Sequence, residues 1–240
     1  MNKLICSVLW GLLALGGSAA GAAEQQVENP CGSPYTTSYG PFDYRIYKDR
    51  IEVKRVEEHH FTPLVESLIK PMFGKLFAPD FDYTLHTTPN HHRALVSMVR
   101  NSLKLKDSKP EGARWDVDCY FVRAMTFVAD DMIVRLLYAD YLIKVGGRTA
   151  DAMRHIDFVA EKSADSPLTA YNAGLLYFDA GAFDKALQQA HRAAEMGLKK
   201  PELRGKLQKA GKWQDATAPQ PATASAKPAA PNPAASSPGS

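Results

Sequence analysis

The chain has 240 residues, 45% hydrophobic and 23% charged, which leaves room for one or two domains with a real core once its atypical ends are set aside. Its 29 Lys and Arg against 26 Asp and Glu give a formal net charge of +3. That balance, with no basic run interleaved with aromatic residues, gives no electrostatic reason to expect nucleic acid as a partner.

Residues 1–23 carry Lys3, an apolar stretch from Leu4 to Leu15 and small residues up to Ala23. That is the layout of a secretory leader. Ala20-Gly21-Ala22 supplies the Ala-x-Ala cleavage site, so the mature chain is expected to begin at Ala23 or Glu24. An uncleaved anchor is the alternative, but the apolar run falls short of the ~20 residues that span a bilayer. Cys6 lies too early to be a lipoprotein cysteine, and no later segment is long and apolar enough for stable membrane insertion. Beyond the leader only Cys31 and Cys119 remain, an even pair in an oxidising compartment. We read them as a disulfide, with two unpaired buried thiols as the alternative. Closing the intervening loop would contribute roughly 4–5 kcal/mol, less any strain.

Residues 24–61 contain Asn29-Pro30-Cys31-Gly32, many aromatics and the alternating Arg50-Ile51-Glu52-Val53-Lys54, which predicts an extended arm or small hairpin. Thr62 to Ile69 and Pro79 to Thr87 predict a weak helical hairpin, with Thr62 as N-cap and Pro63 at the first helical position. From Asn90 to Leu105, Ala94, Leu95, Met98, Val99 and Ser102 recur at three- and four-residue steps, predicting a helix capped by Asn90. After a loop with Pro110 and Gly112, a second helix is expected through Cys119 to Val128, closed by Asp130-Asp131.

The clearest periodicity follows. Gly174 and Tyr177 fall in one predicted helix, Gly181 in a turn, and Ala186, Ala190 and Ala193 along one face of the next helix. A shift of about 34 residues places Gly181 on Gly147, Ala186 on Ala152, Ala190 on Ile156 and Ala193 on Val159. Two hairpins are therefore predicted, over residues 131–164 and 167–200. A capping helix at 201–210 would follow, opened by Pro201, with Leu203 and Leu207 on one side and Gly211 at its end.

This pattern closely resembles the tetratricopeptide repeat, over about half of the mature chain. The resemblance implies an all-α fold: a short solenoid of helical hairpins over residues 62–213, preceded by the arm. Looser similarity, carried by Tyr39-Gly40-Pro41-Phe42, Pro89-Asn90-His91-His92 and Cys119-Tyr120-Phe121, extends to exported repeat proteins of Gram-negative bacteria. It implies a periplasmic or secreted location and brings no activity with it. By the same resemblance, the first helix of each repeat lines a concave partner-binding groove. Its residues would be Leu136, Asp140, Ile143 and Lys144 in one repeat and Tyr171, Leu175, Phe178 and Asp179 in the next. An arm tied down through Cys31 would either fill part of this groove or cover an otherwise exposed face.

Residues 214–240 consist almost wholly of Ala, Pro, Ser and Thr after Asp215, too little apolar surface to offset ordering, so a disordered tail is expected. Catalytic equipment is sparse. Adjacent histidines on a helix point about 100° apart, so a metal site would need one histidine from each of His59-His60 and His91-His92 plus Glu57, Glu58 or Asp82. His86 lies nearby in sequence, but the spacing matches no compact metal motif, and histidines in an exposed first helical turn or packed against the preceding segment are the alternative. There is no Gly-x-Ser-x-Gly elbow, phosphate-binding glycine loop or His-Glu-x-x-His, so neither a cofactor nor enzymatic activity is expected. The expected function is a periplasmic scaffold or adaptor that holds another envelope protein or peptide during assembly. The alternative is a metal-binding or hydrolytic envelope protein using the His-rich N-terminal region.

Overall fold

The computed structural model describes residues 29–163 and 165–215. The expected leader and nearly all of the expected tail lie outside the described residues. The fold is all-α, with no strand among the described residues. Its helices are α1 (Arg50–His60), α2 (Pro63–Glu66), α3 (Ala78–Thr87), α4 (His92–Leu105), α5 (Val117–Phe127), α6 (Met132–Val145), α7 (Thr149–Lys162), α8 (Pro167–Asp179), α9 (Phe183–Glu195) and α10 (Glu202–Lys209).

Helix boundaries follow from local chemistry. Asp116 accepts from the Cys119 amide at 2.8 Å, Asp131 from the Ile133 and Val134 amides, and Ser166 from the Thr169 amide, so three helices open on short polar side chains. Gly181, at φ +80°, ends α8 by donating to the Phe178 carbonyl at 3.0 Å. The pairs α6–α7 and α8–α9 form the most extensive hairpins. Helices α4, α6, α8 and α10 pack side by side in that order, while α5, α7 and α9 each pack on the helix that follows. One continuous core, through Phe61, Leu95, Phe121, Leu142, Ile156 and Leu207, runs the length of this stack. The capping helix is formed by α10, with Leu203 and Leu207 buried as expected.

Three expectations about the N-terminal part are corrected. Arg50 to Lys54 is not extended but the start of α1. Val53 and Val56, three apart, are buried while Ile51 is 70% exposed, and Glu52–Arg55 and Lys54–Glu58 pair at helical spacing. A five-residue alternation fits one narrow buried helical stripe as well as it fits a strand. Second, the weak hairpin of residues 62–69 and 79–87 does not form: α2 is a single turn, and α3 packs on α1 and α4. Pro63 occupies the first helical position, but the Thr62 side chain makes no capping hydrogen bond. Third, α4 is capped by His91, not Asn90: the His91 side chain accepts from the Ala94 amide at 3.2 Å.

Residues 29–46 have no regular structure and end in a single 3-10 turn at Tyr47–Asp49. Cys31 and Cys119 are disulfide-bonded across 88 residues of chain. Beside the bond, the Arg123 side chain, 1% exposed, donates to the carbonyls of Cys31 at 3.1 Å and Ser33 at 2.9 Å. Its guanidinium lies 3.9 Å from the centre of the Trp115 ring. The arm therefore covers α5 and the starts of α4 and α6.

Candidate functional site

Three of the histidines proposed as metal ligands, His60, His91 and His92, are engaged within the fold, while His59 is exposed. His91 is wholly buried; its Nδ1 accepts from Ala94, so Nε2 carries the proton and donates to Glu57 Oε1 at 3.0 Å. Burial holds this imidazole below the ordinary histidine range, against the pull of Glu57. His92 Nε2 lies 2.8 Å from Asp131 Oδ2, and His60 stacks on Tyr83 with its Nδ1 3.6 Å from Asp80. Asn90 is buried rather than capping: its amide donates to Asp43 at 2.7 Å and Asp131 at 3.0 Å, and its carbonyl oxygen accepts from the Tyr44 amide at 3.0 Å. Burial raises Asp131, but the hydrogen bonds from His92 and Asn90 overcome it and hold this carboxyl below its usual range. These side chains knot the arm to the starts of α4 and α6. Among the described residues, no group of three or more His, Cys, Asp or Glu is disposed to hold a metal ion.

The eight residues assigned to a concave groove divide into two sets. On α6, Leu136 is buried, Asp140 pairs with Lys144 at 2.5 Å, and both members of that pair border a small hollow between α4, α5 and α6. Ile143 is half-buried against the core. On α8, Leu175 also packs on the core, and the neighbouring positions meet α10. Asp179 pairs with Lys206 of α10 at 2.9 Å, and the Lys206 ammonium sits 5.1 Å from the centre of the Phe178 ring, which meets Phe183 edge-on. Tyr171 is buried, with its hydroxyl 3.5 Å from Glu202. On this side α10 therefore packs beside Tyr171, Phe178 and Asp179, with Asp179 still exposed and Phe178 half-buried.

Tyr171 also forms the floor of a different cleft, of about 620 Å³, between α9, the α9–α10 connection and α10. One wall is built from His191 and Trp213, whose rings lie 4.8 Å apart. Trp213 is fixed by an Nε1 hydrogen bond to Asp215 at 3.0 Å and by the Arg204 guanidinium 4.8 Å from its ring. His191 holds the Gln214 carbonyl at 2.9 Å. Leu198 and Leu203 supply apolar surface, and Lys199, Lys200 and Arg204 form a basic rim. Among the described residues Asp215 is the only acid of the lining, and it pairs with Arg204 at 3.7 Å. An apolar floor with a cationic rim can seat an apolar side chain flanked by carboxylates. Sequence reasoning missed His191 and Trp213 because they lie on opposite sides of the capping helix in the chain. A tryptophan just after that helix was the available signal.

No protein-family model, curated protein or solved structure matches this chain.

Proposed function

We propose that this chain is an exported scaffold of the bacterial envelope, which holds another envelope protein through an acidic, apolar segment seated in the C-terminal cleft. The observation that carries the reading is the cleft itself, where Tyr171, His191 and Trp213 present aromatic surface beneath Lys199, Lys200 and Arg204. Aromatic anchors with a charged rim are the composition by which protein interfaces concentrate their affinity. Stacked hairpins support it too, since they offer long surfaces built from a few repeated contacts. The Cys31–Cys119 bond fits an oxidising compartment such as the periplasm.

Substituting Tyr171 or Phe178 would disturb the seating of α10, so the test uses the exposed rim. A photoreactive residue at Lys199 in the native envelope should give a single cross-linked protein, and Lys200→Glu with Arg204→Glu should cut its yield about tenfold or more while the helical signal persists. An adduct that survives this charge reversal, or none at all, removes the cleft as the holding surface.

A further inference from the structure

Between Leu64 and Phe77 the chain sorts its apolar residues in an unusual way. Val65 is fully buried, and Leu68 and Phe77 pack on the core, yet Leu64, Ile69, Met72, Phe73 and Leu76 all face water. Ile69 is 69% exposed and Phe73 64%. Exposed apolar residues scattered singly are ordinary; five within thirteen positions are a patch. The backbone beneath them is held. Ile69 and Lys70 donate to the Leu64 carbonyl at 2.9 and 3.2 Å, and the Met72 amide donates to the buried Asp80 carboxyl at 2.8 Å. The side chains are therefore presented by an ordered loop. Its charge has one sign: Lys70 and Lys75 are exposed, and residues 67–77 contain no acid. Glu66, just before, is taken by Arg93.

We propose that this loop is a membrane-surface anchor, in which Ile69, Met72, Phe73 and Leu76 enter the interface of an anionic lipid leaflet while Lys70 and Lys75 meet its headgroups. Bulky apolar side chains flanked by lysines are what an interfacial segment requires, and they make the chain lie on a bilayer, since no described helix is long and apolar enough to cross one. The anchor is separate from the C-terminal cleft and does not depend on it.

Flotation of the purified, oxidised chain with phosphatidylglycerol–phosphatidylcholine vesicles, against phosphatidylcholine alone, tests this. The anionic vesicles should carry the chain, less so at high salt because headgroup attraction is screened. Ile69→Asp with Phe73→Asp should reduce binding about tenfold or more without changing the thermal midpoint, because both side chains are exposed. In a Phe73→Trp variant, lipids brominated in the acyl chain should quench the fluorescence. Failure to float with anionic vesicles at low salt, equal flotation of the double variant, or flotation without quenching each overturns the proposal. So does a dimer in sedimentation velocity that the double variant dissolves without any vesicle binding, which would assign the patch to a second copy of the chain.

Discussion

The His91 ring makes two contacts of opposite polarity, accepting at Nδ1 from Ala94 and donating at Nε2 to Glu57, so only the neutral ring fits. An unfolded histidine titrates near ~6.5. His91 is held below that value by burial, as are His60, His86 and His155, each with burial as the leading cause. A group whose charged form is disfavoured by folding contributes its full stability above the unfolded pKa and loses it as pH falls from there toward the folded value. The depressed carboxyls act lower: Glu57, held down chiefly by His91, and Asp131, held down against burial, lose their contribution only as pH falls through their folded values. Stability should therefore begin to fall near pH ~6.5, by up to about 1.4 kcal/mol per pH unit for each buried imidazole. Denaturant titrations between pH 7.5 and 5.5 measure the slope. In His91→Asn, which keeps a capping acceptor and cannot become charged, the slope should be shallower by one proton; an unchanged slope would mean that His91 does not titrate in this window. Asn90-His91-His92 reads as a helix start whose histidines are either exposed or packed on the preceding segment; His91 does the latter, but its titration and its partners were not legible. The partners that bury these residues, Asp43, Glu57 and Asp131, lie 47, 34 and 39 positions away.

At the scale of elements, legibility follows the range of the contacts. The hairpins α6–α7 and α8–α9 were readable because each is closed by a short turn and its small residues recur at a fixed offset. The contact of α10 with α8 was only half readable: the cap was foreseen, but not its pairing with Tyr171, Phe178 and Asp179. Gly174 shows why α10 sits so close. A Cβ there would stand 2.5 Å from Leu203 Cδ2 and 3.2 Å from Gln189 Cβ. Gly174→Ala gains up to about 1 kcal/mol of helix propensity and loses about 1–3 kcal/mol to crowding, so the net change should be small and unfavourable. Gly174→Val adds two methyl groups more than alanine with less propensity gain and should cost more, about 2–3 kcal/mol. Chemical denaturation measures both, and limited proteolysis after Lys206 or Lys209 should accelerate in the valine variant as α10 lifts. A stabilised valine variant would show that the α8–α10 spacing yields freely. Within the arm, only the extended reading of Arg50 to Lys54 failed, and for the converse reason: five alternating residues are too few to distinguish a two-residue period from one stripe of α1.

Across the whole molecule, the stack and its arm are stabilised by different means. The hairpins α6 to α10 bury a continuous apolar face. The segment from Asn29 to Tyr44 has no regular structure and is held by the disulfide, the Arg123 hydrogen bonds and the Asn90–Asp43 contact. Breaking the bond releases an 88-residue loop in the unfolded chain and should lower stability by about 2–5 kcal/mol. In a stack where each unit touches mainly its neighbours, that loss should be felt unevenly. Arg123 should suffer most, because freeing Cys31 removes the carbonyl acceptors of a guanidinium that is otherwise buried against Trp115. Cys31→Ser, or reduction of the wild-type chain, should therefore speed amide exchange in α5 and at the starts of α4 and α6, while α8, α9 and α10 exchange as before. Hydrogen exchange read by mass spectrometry resolves these segments. Equal acceleration from α4 to α10 would mean that the stack unfolds as one cooperative unit and that the bond supports all of it.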